Sequence, residues 1–89
     1  MRVALICRDR PGALELRKAN RQAHLDYIAA SGAVEMAGPL IEGGEMAGSL
    51  LILDVADVAA AEAWAAGDPY AKAGLFESFT IREWRKVIG

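Results

Sequence analysis

Residues 47–55, AGSLLILDV, decide the fold. Successive side chains of a strand point to opposite sides. In extended form the stretch therefore sets Leu51, Leu53 and Val55 against Leu50 and Ile52, with both faces apolar. Residues 2–7, RVALIC, repeat this character, with Val3, Leu5 and Cys7 on one face and Ala4 and Ile6 on the other. Two more segments read as strands of another kind. Residues 33–41, AVEMAGPLI, carry Glu35 and Pro39. Residues 76–87, FESFTIREWRKV, carry Glu77, Arg82, Glu83, Arg85 and Lys86, with Phe79 and Ile81 on one face. Proline has no amide to donate and charges discourage further pairing, so these two belong at sheet edges and the two-faced strands at the centre.

Helical spacing fills the gaps. From Ala13 to about Ser31, Leu16, Ala19, Ala23, Tyr27 and Ala30 recur at intervals of three and four and form one stripe. The charges of Arg17, Lys18, Arg21 and Asp26 lie mostly off it, and Gly32 is a natural stop. An alanine-rich helix follows over Val58–Ala66, capped by Asp57 and ended by Gly67. Asp68-Pro69 opens a short helical turn that Gly74 closes. Arg8–Gly12 and Glu42–Glu45 read as turns. The order β-α-β-β-α-β is the ferredoxin-like split βαβ pattern of the α+β class: an antiparallel four-stranded sheet in the order 4-1-3-2. Two helices cover only one face of such a sheet. The apolar second face predicts a partner, a second copy packed sheet to sheet, giving a homodimer or a higher oligomer built on it.

Composition limits the rest. The chain has 89 residues, which suits one domain over 1–89, since domains usually need on the order of 100–150. Hydrophobic residues make up 54%, too many for disorder. No charge-free run approaches the roughly 20 residues that span a bilayer, so no membrane partner is expected. A net charge of −2 offers no basic face to nucleic acid. The lone Cys7 excludes an internal disulfide, and the lone His24 excludes a His-pair metal site. No phosphate or dinucleotide fingerprint is present, so neither metal nor cofactor is expected. The first apolar run is too short for a signal peptide, and with a free cysteine this predicts a cytoplasmic protein. Cys7 reads as a small hydrophobe, and Trp64 and Trp84 as core or interface anchors.

Chemistry rests on few residues. His24 is the one side chain that ordinarily titrates near neutrality. It falls on the flank of the predicted stripe with Arg21 one turn before it. Either it packs at a boundary or it acts as a base. Asp68 before Pro69 is an N-cap with proline at the first helical position. It could equally accept a proton from His24 and fix its tautomer. Asp9 reads first as a turn residue, and Gly38-Pro39 and Gly48-Ser49 as bend and close-approach positions.

Five segments together extend these readings: Arg17-x-x-x-Arg21-x-x-His24-Leu25, Ala37-Gly38-Pro39-Leu40, Gly48-Ser49, Asp68-Pro69-Tyr70 and Ala73-Gly74-Leu75-Phe76-Glu77. In this order and at these separations they resemble the YciI-like (YCII-related domain) family over essentially the whole chain, although Gln22 stands where many members have proline. The resemblance implies a ferredoxin-like domain that pairs into a dimeric α/β barrel. It also implies an active site built from the family's His and Asp, which fall on His24 and Asp68. A related branch eliminates HCl from a chlorinated hydroxyquinol, and other dimeric α/β-barrel relatives are lactone isomerases or monooxygenases of small, often aromatic molecules. The expected protein is then a cofactor-free lyase or isomerase acting on a small-molecule ligand. His24 serves as general acid/base oriented by Asp68, Arg21 and Arg17 hold an anionic oxygen, and Asp9, Pro39, Ser49 and Tyr70 complete the binding site. The alternative is a non-catalytic ligand-binding or regulatory dimeric module. The His24–Asp68 distance separates the two.

Overall fold

Gly43 and Gly44 turn the chain back on itself with φ of 56° and 80°, the paired positive values that a two-residue hairpin needs to match the twist of its strands. This hairpin is the middle of the sheet's wiring. The computed structural model describes residues 1–89. Its elements are β1 (Arg2–Asp9), α1 (Leu14–Ser31), β2 (Val34–Glu42), β3 (Glu45–Asp54), α2 (Val58–Gly67), α3 (Pro69–Lys72) and β4 (Phe76–Glu83). The sheet order is β2-β3-β1-β4 with every neighbouring pair antiparallel. The two-faced strands are therefore central, and the proline-bearing and charge-rich strands lie at the edges, as their sequences require.

Register builds the core. Leu5 pairs with Leu51 on one side and Ile81 on the other, so one layer of aliphatic side chains crosses the sheet under the helices. Val3, Leu5, Cys7, Leu51 and Leu53 bury this layer against Ala61, Trp64 and Ala65 of α2. The opposite face has no helix. There Ile6 pairs with Leu50, and Ala4 and Met36 flank Ile52. Ile6, Met36, Leu40 and Leu50 are each more than a third exposed.

The structure corrects several sequence readings. The predicted stripe of α1 is its buried side only in part: Leu16 and Tyr27 are half-buried, Tyr27 against the core. Ala19, Ala23 and Ala30 are exposed, and the buried residues of the helix are Arg17 and His24. The docked face is turned by about 90° from the apolar one, counting about 100° per residue. The cause is what the helix meets: two buried carboxylates, which must be paired if they are charged. One of them is Asp9, which is the last residue of β1 and not part of a turn. A register shift against β4 between Arg8 and Asp9 is the kind of irregularity that re-aims a side chain. At the far end β4 stops at Glu83, short of the predicted Val87, because its only neighbour β1 begins at Arg2. The Trp84 amide still donates to the Arg2 carbonyl at 3.0 Å, and then the ladder runs out. Trp84 remains 37% exposed and anchors no core, whereas Trp64 does.

Gly48 tests the spacing of the central strands. A Cβ built there would overlap the backbone carbonyl oxygen of Cys7 on β1. The glycine is required by space, since its φ is not positive. Gly48→Ala should lower stability by about 1–3 kcal/mol. The check is a lower urea midpoint with an unchanged slope.

Candidate active site

Asp68 occupies the join between α2 and α3. Gly67 ends α2, Asp68 turns extended at φ −62° and ψ 126°, and Pro69 starts α3. Proline at the first helical position has its φ already set and lacks the amide that would go unsatisfied there. The Tyr70 amide then donates to Asp68 Oδ1 at 3.0 Å. The same oxygen lies 2.7 Å from His24 Nδ1. The capping role and the histidine contact therefore coexist in one atom. Asp68 is fully buried, and its Oδ2 has no hydrogen-bond partner. With Nδ1 engaged, His24 Nε2 has no protein partner and is not among the sealed polar atoms.

Tyr70 lies flat on His24. Their ring centroids are 3.9 Å apart at an interplanar angle of 15°. The Arg17 guanidinium carbon lies 4.8 Å from the same tyrosine centroid. Arg17 is held firmly. Its Nε donates to Asp9 Oδ2 at 2.8 Å, and its Nη2 donates to the Gly48 carbonyl and Ser49 Oγ, both at 2.6 Å. The Arg17 and Asp9 side chains are only 4% and 5% exposed. Arg21, one turn further, is exposed and forms no ion pair, so it is a free cation beside the site.

These groups border a cavity of about 180 Å³ between α1 and the β2–β3 half of the sheet. Arg17, Arg21, His24, Pro39, Ser49 and Tyr70 all line it. Asp68 stands behind His24, sealed from the cavity. Asp9 does not reach it. That carboxylate is engaged by Arg17, and it borders a separate polar groove with Arg8 and Glu42. The apolar walls, Leu25, Ile28, Met46 and Leu51, were not read from the sequence. Alternation along β3 could have found Leu51, which shares a face with Ser49; nothing local marks Met46. An engineered apolar cavity of about 150 Å³ accepts benzene. The space therefore suits one ring with a few substituents, and it falls below the roughly 300 Å³ at which drug-sized sites begin.

Burial sets the neighbouring groups out of play as nucleophiles. It pushes the Tyr70 phenol above its ordinary value, against the pull of Arg17 and Arg21. Burial, with the charges of Asp68 and Asp9, pushes the Cys7 thiol up to about 12. Cys7 is thus an inert core residue directly under the site. No three His, Cys, Asp or Glu side chains converge as a ligand group, and no helix is long and apolar enough to cross a membrane.

The fold and the cavity between helix and sheet define a ferredoxin-like α+β protein with a polar pocket. Its family follows from comparison with known proteins. The model of the YCII-related domain matches residues 1–85, and the chain belongs to that family. Protein YciI of Escherichia coli is 30% identical over 98 residues, covering 99% of this chain and all of its own. An uncharacterised protein of Haemophilus influenzae is 32% identical over 99 residues, with the same coverage. Among solved structures, 5-chloro-2-hydroxyhydroquinone dehydrochlorinase (TftG) of Burkholderia phenoliruptrix, in complex with 2,5-dihydroxybenzoquinone, superposes with a TM-score of 0.90 at 30% identity. That match covers 96% of this chain and 94% of the other. An antibiotic biosynthesis monooxygenase at TM-score 0.61 and 11% identity shares the fold alone.

The buried acids make a prediction. Cys7 should not react with a thiol reagent at pH 8 in the native protein, and one thiol should react after unfolding in urea. Cys7, Tyr27 and Tyr70 all have folded values above their unfolded ones. Their contribution to stability is complete below the ordinary values and is lost as pH rises through the folded ones. The melting temperature should therefore fall as pH climbs from about 9 towards the folded Cys7 value of about 12.

Proposed function

We propose that the chain is an enzyme for small ring-sized molecules bearing an acidic hydroxyl or enolate oxygen, a lyase or isomerase in which His24 transfers the proton. The observation that carries this is the contact of His24 Nδ1 with Asp68 Oδ1 at 2.7 Å, in a histidine that lines a cavity of ring size and whose Nε2 has no protein partner. Asp68 favours the tautomer with hydrogen on Nδ1, so the Nε2 lone pair is available as base. Arg21, with the Arg17 guanidinium beside it on the same wall, supplies positive charge where an oxygen anion develops. Ser49, Pro39 and the apolar walls shape the space around the ring. Once Nε2 has taken the proton, the released electron pair either expels a leaving group or accepts the same proton back at another atom. The first is elimination and the second isomerisation. Proton transfer of this kind asks only for a base and a cation. The dehydrochlorinase neighbour supports the reading through its name and its bound one-ring quinone.

The same reading includes a homodimer, or a higher assembly built on it, joined through the open sheet face. Ile6, Leu50, Met36 and Leu40 form one apolar surface there, of the kind that marks an interaction site. A lone buried thiol fits a reducing compartment, and we assign the protein to the cytoplasm.

Two experiments test these proposals. The first is a mass-spectrometric substrate screen of hydroxyquinols, including 5-chloro-2-hydroxyhydroquinone. His24→Ala should abolish any turnover found. Asp68→Asn should lower it at least about tenfold while costing no more than about 1 kcal/mol, because the cap geometry is kept. Full activity in both variants would overturn the proton-transfer role, and binding without turnover would make the site a ligand-binding module. The second is light scattering at micromolar protein. It should give twice the chain mass of 9.5 kDa for a dimer with an interface of roughly 1,200–2,000 Å² or more. Leu50→Glu should yield monomer or aggregate, and a wild-type monomer would refute the assembly.

A further inference from the structure

Tyr70 touches both members of the His24–Asp68 pair, by two different parts of itself. Its amide donates to Asp68 Oδ1, and its ring covers one face of the His24 imidazole at 3.9 Å. We propose that Tyr70 is the positioning residue of this site: it fixes the plane of the His24 ring, and it does so with its aromatic face rather than by binding substrate. The inference rests on the proton-transfer reading of His24 and adds to it the group that aims the base.

The reason lies in the geometry of an imidazole. The lone pair of Nε2 points outward in the ring plane, so the direction of proton transfer is set by the orientation of that plane. The second side-chain torsion of histidine is broad, and a hydrogen bond tolerates misalignment of up to about 30°. The contact of Nδ1 with Asp68 therefore anchors one corner and leaves the ring free to swing. A second ring parallel to within 15° blocks that swing on one side.

Tyr70 can serve as a wall because it is itself held. It is 2% exposed, with the edge of Phe76 against it at 6.1 Å and 84°. Arg17 adds a guanidinium at 4.8 Å from its centroid, and Arg17 is fixed in turn by Asp9, Ser49 and the Gly48 carbonyl. Rigidity thus passes from the β1 and β3 ends through Arg17 and Tyr70 to the base. The local chain explains the amide contact. With Asp68 as cap and Pro69 at the first helical position, the amide two residues on is presented to the capping oxygen. Pro69 joins a cap to a stacking ring, so the Asp-Pro-Tyr unit holds the carboxylate and the imidazole at once. Tyr70 covers one face of His24 and thereby closes that face to a ligand.

The test uses the fact that His24 is the only histidine, so its two imidazole carbon-bound protons are unambiguous in the NMR spectrum. In the wild type these should be shifted upfield by the stacked ring and should show cross-relaxation to the Tyr70 ring protons. Tyr70→Phe should keep both signatures. Tyr70→Leu, with its fold checked by the backbone amide spectrum, should lose the upfield shift. On the substrate that the His24→Ala screen identifies, Tyr70→Leu should lower kcat on the order of tenfold to a hundredfold with KM little changed, and Tyr70→Phe should restore it. His24 resonances unmoved in folded Tyr70→Leu, or Tyr70→Phe as damaging as Tyr70→Leu, would overturn the proposal. Should Tyr70→Leu fail to fold, the wild-type cross-relaxation decides: its presence upholds the stack and its absence refutes it. The spectroscopic arm needs no substrate, so the stack and the proton-transfer reading fail separately.

Discussion

A carboxylate oxygen inside the protein, Asp68 Oδ1, accepts from two elements at once: the amide that starts α3 and, at 2.7 Å, the imidazole of α1. A buried carboxylate is costly unless donors surround it. That constraint governs how α1 lies on the sheet. Asp9 at the end of β1 imposes the same demand and is met by Arg17. The two basic residues are seven positions apart, about two helical turns, so one face of α1 can answer both acids together. The helix docks by this polar face, and its alanines are left to solvent.

An interior organised in this way is not the most stable choice. Buried ion pairs are weak evidence of stabilisation, and well-packed apolar residues often do as well or better. Places where a protein keeps polar groups inside, against the local pattern, are where function is expected to reside. Here Arg17, His24 and Ser49 line one cavity, with Asp68 and Asp9 paired behind them. Below the polar layer Val3, Leu5, Leu51 and Leu53 form an apolar cluster, and Cys7, held as a thiol by burial and two nearby carboxylates, belongs to it in spite of its chemistry. The side chains proposed to act on a ligand lie in the gap between α1 and the β2–β3 hairpin.

The other side of the sheet obeys a simpler rule. Three helices on one face leave four strands bare on the other, and β1 and β3 present Ile6 and Leu50 to it. The strand β2 belongs to both surfaces: Ala37 and Pro39 line the cavity, while Met36 and Leu40 are exposed on the open face. Whatever covers that face presses on a strand that is also a wall of the site.

Strand character was legible in the sequence because it is local. Alternation assigned two faces to RVALIC and AGSLLILDV, and Pro39 and the charges of the last strand marked the edges; the sheet order followed. The hairpin turn and the caps at Asp57 and Asp68 were legible for the same reason, since they depend on residues a few positions apart. The orientation of α1 was not. A hydrophobic stripe records only apolar preference: it leaves Arg17 off the stripe and His24 at its flank, and their burial follows only when Asp9 and Asp68 come within reach. Those partners are 8 and 44 positions away, and only the tertiary fold brings them under the helix. The extent of β4 was likewise decided by where its neighbour β1 begins. The sequence by itself determined which segments pair and which few side chains are capable of acid–base chemistry. Tertiary structure decided which way the helix faces, because leaving two buried carboxylates unpaired costs more than exposing a few alanine methyl groups.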